Sequence, residues 1–509
     1  MRALISVYDK HGVASFAEGL VALGFELVSS GGTAAYLAGR GLPVTRVEEV
    51  TGAAEVLGGR VKTLHPRIHA AILARVELAE DRATLAEQGI EPFELVCVNL
   101  YPFDSVAGRM GAEDAEVIEM IDVGGPALMR AAAKNYAHVA IVSRPEQYDS
   151  LLAELGAGAL SVETRRALAA EAFAVTAGYD AAIARWFAKA QFLPEQLTLT
   201  FRKVADLPYG ENPHQSAAYY EEVGSRRHLL SRVSQLGGRE LSYNNLADLE
   251  AGRRIVREFA DPAVVIVKHA NPCGVAIAAT IEEAYERALA ADPTSAFGCV
   301  MVLNRPLAAA LGARIAEHFV EVVLAPEIEQ EAIEVLRRRT ALRILRSSER
   351  RADTPGERDY RRVVGGLLVQ ERDAESEPRA AMELVAGTID DSLWEELIFA
   401  WRVCKHVSSN AIVLSKGLQT IGIGAGQTSR VDAVQIALEK ARRFGHEIAG
   451  AVLASDAFFP FDDGPKLALD AGVVALIQPG GSVRDEEVLA ATASAGAAMV
   501  FTGRRHFRH

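Results

Sequence analysis

Lys268 and His269 stand side by side between the apolar run Val264–Val267 and the sequence Asn271-Pro272-Cys273-Gly274. The β-branched run reads as a buried strand and Asn-Pro-Cys-Gly as the turn that ends it. A cation and an imidazole then fall at a strand end, where α/β proteins commonly do chemistry. The plainer reading is a terminal Lys beside a hydrogen-bonded His. Successive strand residues point to opposite faces, so the two share a site only where the strand has begun to turn.

Other stretches gather groups suited to an anion. Ser30-Gly31-Gly32-Thr33 brings backbone N–H groups and a hydroxyl to a helix start, which suits a phosphate, although Gly-Gly also makes a simple tight turn. The segment Gly58 to His69 concentrates Arg60, Lys62, His65, Arg67 and His69 with Gly58 and Gly59, as a loop built around an anion or as a solvated basic turn. Asn99-Leu100-Tyr101 lies at a strand end, and Asp122-Val123-Gly124-Gly125 precedes a helix carrying Lys134, which brings these groups to one rim of a sheet. Later come the polar loops Leu207–Gln215 and Leu241–Asn245, then Lys405-His406 before Asn410. A hairpin turn at Lys416-Gly417 and the run Gly422–Arg430 follow. The second Lys-His pair hints at an internal duplication. Phe458, Phe459 and Phe461 either bind a flat ring or plug the core, and the basic tail Arg504–His509 follows an apolar strand at Ala498–Phe501.

The elements that must position these groups alternate strand and helix. Ala3–Val7, Phe25–Ser29, Glu94–Leu100 and Val139–Ser143 read as strands of an open parallel sheet with its ligand crevice at their carboxyl ends. Residues 161–188 read as a helix with Leu168, Phe173, Trp186 and Phe187 in the core, and periodicity fades over 191–206, a boundary. Residues 327–377, with Arg337-Arg338-Arg339, read as a charged surface segment. A chain of 509 residues exceeds one core and implies roughly three or four compact units. Its formal charge of −13 argues against nucleic-acid or anionic-membrane affinity, and its four dispersed cysteines favour reduced thiols in the cytoplasm. The N-terminus does not read as a signal peptide, and no apolar run approaches membrane-spanning length.

Taken in order, the motifs S-V-x-D-K, S-x-G-G-T, G-G-R-V-K-T-L-H-P, N-L-Y-P-F, I-D-x-G-G, A-A-K-N, Y-G-E-N-P-H-Q, K-H-x-N-P-C-G, S-A-F-G, G-I-G-A-G-Q-x-S-R, S-D-A-F-F-P-F and R-H-F-R-H resemble the bifunctional AICAR transformylase/IMP cyclohydrolases. The resemblance runs from Ser6 to His509. It implies an α/β protein: a methylglyoxal-synthase-like cyclohydrolase domain over 1–190, a linker over 191–206, and a transformylase domain over 207–509 made of two zinc-free cytidine-deaminase-like halves, about 207–375 and 376–509. The implied substrates are AICAR, formyl-AICAR and IMP, with 10-formyltetrahydrofolate as cosubstrate, no catalytic metal, room for a monovalent cation, and a homodimer with transformylase sites across the subunit interface.

By the same resemblance His269 is the transformylase general acid/base, Lys268 stabilises the oxyanion or protonates the leaving nitrogen, and Asn410 orients the formyl oxygen. Tyr209, Arg430, Arg505 and Phe507 bind the nucleotide, and Phe458 stacks on the aromatic ligands. In the cyclohydrolase site Lys62 and Lys134 polarise oxygens and Tyr101 and Asp122 move protons, while Lys10, Ser30, Gly31, Gly32, Thr33, Arg60 and Thr63 hold phosphate and ribose. Two departures stand out: Pro208 occupies a position where the family usually has a nucleotide-binding Arg, and Tyr8 one where Ser is commoner. Pro208 raises the alternatives that Arg202 or Lys203 substitutes, that AICAR binds more weakly, or that only the cyclohydrolase is retained. A zinc deaminase reading of His269 and Cys273 lacks the catalytic Glu of H-x-E.

Overall fold

Strand and helix alternate through the first part of the chain as the apolar spacing requires. The computed structural model describes residues 1–109, 111–188, 191–223, 229–348 and 356–509. Strands β1 (Arg2–Val7), β2 (Glu26–Ser29), β3 (Val44–Arg46), β4 (Leu95–Asn99) and β5 (Ala140–Val142) form an all-parallel sheet in the order β3-β2-β1-β4-β5. Helices cover both faces, so the central strands are apolar without interruption. Ile5 is level with Ser29 and Val7 with Asn99, which aligns the carboxyl ends of β1, β2 and β4.

The helix Val162–Phe187 has, contrary to the sequence expectation, the length and mean apolarity of a membrane span. It packs on the helix Gly124–Lys134 and on β5. Its buried stripe is built largely from alanines, Ala169, Ala172, Ala181 and Ala182, with Leu168. Phe173 and Phe187 therefore lie off that stripe, 41% and 63% exposed, rather than in the core. The chain divides by contacts into two units, Met1–Arg202 with Glu221–Arg226, and Lys203–Tyr220 with Arg227–His509. The stretch 191–206 ends in strand β6 (Phe201–Leu207), which pairs with β7 (Ala217–Glu222) in a two-stranded ribbon.

The second unit contains two six-stranded sheets of the same topology. One is built from β8 (Ser234–Gly237), β9 (Ala263–Lys268), β10 (Asn271–Ile277), β11 (Cys299–Leu303), β12 (Val320–Ala325) and β13 (Arg343–Arg346), in the order β10-β9-β11-β12-β13-β8. After the ribbon β14 (Arg358–Val363) and β15 (Gly366–Glu371), the pattern recurs with β16 (Glu383–Ala386), β17 (Ile412–Ser415), β18 (Thr420–Gly424), β19 (Val452–Ser455), β20 (Ala475–Gln478) and β21 (Ala498–Phe501). Their order is β18-β17-β19-β20-β21-β16, with the same pairs parallel and antiparallel. The duplication is thus real, but Lys405-His406 is not the counterpart of Lys268-His269. It follows the helix Asp391–Cys404, whereas Lys268-His269 follows the strand after the equivalent helix, Tyr243–Val256. The charged segment 327–377 contributes β13 and the helix Gln330–Arg337, so it is largely structural, and the part at 349–355 lies outside the described residues.

Those two helices share one apolar cluster with the inner faces of both sheets, and separate clusters back each sheet on its outer face. β10 and β18 lie together: Ile277 N donates to Leu418 O at 2.9 Å and Val275 N to the Thr420 hydroxyl at 3.0 Å. Each packs by glycine on the helix that follows it. A Cβ at Gly274 would overlap Ala288 O, and one at Gly424 would overlap Ala433 O. Gly424→Ala is expected to destabilise the second unit by about 1–3 kcal/mol, seen as a lower urea midpoint. Gly156→Ala, with nothing within 4 Å of the new methyl, should change stability by less than about 0.5 kcal/mol.

Candidate active sites

At the carboxyl ends of β1, β2 and β4 lies a cleft of about 570 Å³, lined by Lys10, Ser30, Gly31, Gly32, Thr33, Arg60, Lys62, Thr63, Tyr101 and Asp122 among others. The helices Gly31–Ala38 and Gly124–Lys134 both begin at it, so two positive dipole ends converge there, although at the second the Gly124 and Gly125 N–H groups already serve Asp122. Lys62 lies against two glycines: a Cβ at Gly31 would stand 3.0 Å from its Nζ, and one at Gly59 2.7 Å. Glu55 Oε2 stands 3.3 Å from the same ammonium. Arg60 is paired with Glu119. Lys10 Nζ donates to Tyr8 O at 3.2 Å. The Thr33 hydroxyl donates to Val7 O at 2.9 Å and accepts from Val7 N at 3.2 Å, so it ties its helix to β1. At the mouth the half-exposed rings of Tyr8 and Tyr101 stand 5.3 Å apart.

Asp122 accepts from Gly125 N at 2.8 Å, while its own N–H donates to the Tyr179 hydroxyl. Burial pushes its carboxyl above the usual carboxylate range, against the opposing pull of the Gly125, Tyr101 and Gly124 amides. A half-buried carboxyl opening on a polar cleft is placed to exchange a proton with a bound ligand.

Not all of the expected set is here. Lys134 ends the helix whose first residues line the cleft; ten residues of helix put it about 15 Å away, in a separate groove with Arg130, Tyr136, Arg166 and Phe173. Part of the basic loop also turns away, because Pro66 starts a helix that removes His65, Arg67 and His69 from the cleft. His65 Nδ1 caps that helix by accepting from Arg67 N.

In the second unit Lys268 and His269 line one pocket of about 300 Å³, with Tyr209, Asn245, Asp248, Phe297, Phe319 and Glu321. The strand ends at Lys268 and the tight turn is His269-Ala270, with φ of 53° and 58°; Asn271-Pro272-Cys273-Gly274 is not a turn but the start of β10. Proline is tolerated there because the register shifts between Pro272 and Gly274. The early turn swings His269 to the same pocket as Lys268, whose Nζ donates to Phe297 O at 2.7 Å. The Cys273 thiol instead faces Ile266 O in the core, and burial pushes it up, so it does not join His269 as a ligand pair. Neither substitute cation lines the Tyr209 pocket: Arg202 pairs with Glu221 and Lys203 with Asp206.

A second pocket, of about 390 Å³, gathers Asn410, Arg430, Phe458, Phe461, Arg505 and Phe507. Phe459 is buried while Phe458 and Phe461 face the pocket, so the aromatic cluster both plugs the core and offers rings. Arg430 is buried between Ser455, Asp456 and Asn410. Asn410 accepts from Arg430 Nη2 at 2.8 Å and donates to Gln427 O and Thr428 O, so its amide is committed to protein partners rather than free for a formyl oxygen. Arg505 is exposed, with its guanidinium 4.6 Å from the Phe507 ring centre.

Sequence reasoning missed Asp248, Asp456, His506 and Arg508. For the tail the signal was present, since alternation in an extended segment sends Arg505 and Phe507 to one side and His506 and Arg508 to the other. His506 is buried, with Nδ1 2.6 Å from Asp373 and Nε2 3.0 Å from Glu377, so this tail is anchored rather than frayed. Lys405 and His406 are also buried and structural, holding Glu258.

A parallel-sheet domain with a polar cleft at its strand ends, followed by a duplicated α/β unit bearing a Lys-His turn, defines the class of protein. The description "MGS-like domain" matches residues 12–127, and "AICARFT/IMPCHase bienzyme" matches residues 132–440. The chain belongs to the AICARFT/IMPCHase bienzyme family. It is 48% identical over 519 aligned residues to the bifunctional purine biosynthesis protein PurH of Myxococcus xanthus, covering 100% of both chains. The proteins of that name from Rhodopirellula baltica and Persephonella marina are 49% and 47% identical, with 100% of this chain and 98% and 99% of theirs covered.

Burial by itself would lower the His506 pKa, but the hydrogen bonds and charges of Asp373 and Glu377 outweigh it and hold it up to about 9. Its raised pKa gives stability that is complete below the ordinary 6.5 and lost as pH rises through about 9. The same pairing holds the two carboxyls below their ordinary 3.8 and 4.5, so acidification through that range removes it too. His506→Gln should cost on the order of 2 kcal/mol near pH 6 and progressively less toward pH 9, measured by denaturant titration across pH.

Proposed function

We propose that the chain transfers a formyl group from 10-formyltetrahydrofolate to the 5-amino group of AICAR, then closes formyl-AICAR to IMP with loss of water. The observation that carries this is full-length membership of the family with both sets of polar groups present, one in each unit. The full-length match does not support a cyclohydrolase-only protein, the alternative raised by Pro208.

For the transfer, the amine attacks the formyl carbon and must lose a proton as the tetrahedral centre forms. His269 takes that proton, and Lys268 stabilises the oxyanion or protonates the departing folate nitrogen. Arg505 grips the phosphate, with Phe458 and Phe507 against the rings; Asn410 acts by fixing Arg430. The two pockets of the second unit hold complementary parts of this set, and a homodimer that joins the turn of one protomer to the tail pocket of its partner fits them. For the closure, assigned to residues 1–190, the carboxamide nitrogen attacks the formyl carbon and water leaves. Lys62 polarises the formyl oxygen, Asp122 and Tyr101 relay protons, and the helix start at Gly31-Gly32 holds the phosphate. Lys134 is not given a part in this chemistry, since it lies at the far end of its helix.

Assaying the half-reactions separately tests the assignment. His269→Ala should lower formyl transfer by about 10²–10⁴-fold and leave closure of supplied formyl-AICAR unchanged, and Lys62→Ala should do the reverse. Loss of both activities in either variant, in folded protein, would overturn the division.

A further inference from the structure

The His269-Ala270 turn puts two residues with side chains in the left-handed region, φ 53° and 58°, a conformation that persists only where the surroundings enforce it. All four polar backbone groups of the turn are held by side chains. Asp248 accepts from Ala270 N at 2.6 Å and from His269 N at 3.3 Å. Asn271 Nδ2 donates to His269 O at 3.2 Å, while its Oδ1 accepts from Ser408 N at 2.8 Å. Arg508 Nη1 donates to Ala270 O at 2.9 Å and also to His406 O. The Arg508 backbone is in turn bound to Ser409 in both directions, N to the Ser409 hydroxyl at 3.0 Å and O from Ser409 N at 2.9 Å.

The other half of the duplication contains the same device without the chemistry. Glu396 is the sixth residue of the helix Asp391–Cys404, as Asp248 is of Tyr243–Val256. It accepts from Leu418 N at 2.8 Å and from the Gly417 amide, in the hairpin where Gly417 and Leu418 have φ of 64° and 60°. A carboxylate clamping a left-handed hairpin is therefore part of the repeated fold. Among the described residues, only the first copy adds an asparagine and an arginine, and the imidazole stands on that copy's turn.

We propose that Asp248, Asn271 and Arg508 are positioning residues that hold the His269-Ala270 turn in its left-handed form and so aim the His269 imidazole at the substrate amine. This rests on the formyl-transfer reading above. Because Arg508 lies in the tail that also carries Arg505 and Phe507, the contact fixes the turn and the tail of one protomer to each other.

The test compares the full-length protein with Asp248→Ala, Arg508→Ala and, as the sister clamp, Glu396→Ala. Each is measured for both half-reactions and for amide hydrogen exchange in peptides covering 264–274 and β17. Asp248→Ala and Arg508→Ala should lower the transformylase kcat by about 10–100-fold with KM for AICAR changed less than about threefold, because a misplacement of about 1 Å costs rate more than binding. Exchange at 269–270 should rise while β17 stays protected, and cyclohydrolase activity should not move. Adding Ala270→Gly to Asp248→Ala should recover at least about threefold of the lost rate, since glycine adopts the left-handed form without the Cβ penalty. Glu396→Ala should leave the 264–274 peptide protected. Unchanged kcat in folded Asp248→Ala and Arg508→Ala, or no recovery with Ala270→Gly, overturns the proposal. A wild-type protein with no formyl transfer but normal protection at 269–270 overturns the functional reading instead.

Discussion

The second unit depends on one buried apolar layer. Helices Tyr243–Val256 and Asp391–Cys404 lie between two sheets, and Leu249, Ile255, Leu397, Ala400, Trp401 and Val403 share a cluster with Val265, Val267, Val413 and Ala454. Burial of this kind is non-directional, but side-chain packing makes it unforgiving of shifts. Each helix carries on its sixth residue the carboxylate that holds the hairpin after it, so displacing either helix would move a turn. The geometry of the Lys-His pocket is therefore tied to how the helix Tyr243–Val256 packs in this core.

Acidic residues meet three different surroundings in this chain. Asp122 and Asp248 are both pushed up, by burial first, although backbone amides oppose the shift in each case. Asp122 opens on a cleft where a mobile proton is useful, while Asp248 faces the backbone of a turn. Burial acts upward on Glu258 as well, yet the His406 hydrogen bond and the Lys405 ammonium hold the carboxyl below its usual range, while burial lowers His406 itself and so weakens any charge it would add. Residues 405-406 and 257-258 follow equivalent helices, so this ion cluster joins matching points of the two halves.

Much of the framework was legible because period and composition determine it. The run at 498–501 is a strand with the expected limits, and the crevice at the carboxyl ends of β1, β2 and β4 follows from parallel topology. What escaped depended on one-residue or long-range facts. Whether a strand stops at Lys268 or runs to Asn271 is decided by Asp248 and Arg508, which are distant in sequence. Lys134 was misplaced because a helix start and its end were taken as one location, and helix rise separates them. Phe173 was misjudged because alanines, not aromatics, form the buried stripe of its helix.

β10 and β18 are the outermost strands of their sheets, and they lie against each other through the Ile277–Leu418 and Val275–Thr420 hydrogen bonds and an Ala276–Gln419 bridge. Open sheet borders invite pairing with foreign strands, the first step toward aggregation. Here each border shields the other. Expressed separately, either half would present a bare apolar margin to solvent, so splitting the duplicated unit into soluble pieces is disfavoured by the same contact that brings its two hairpins together.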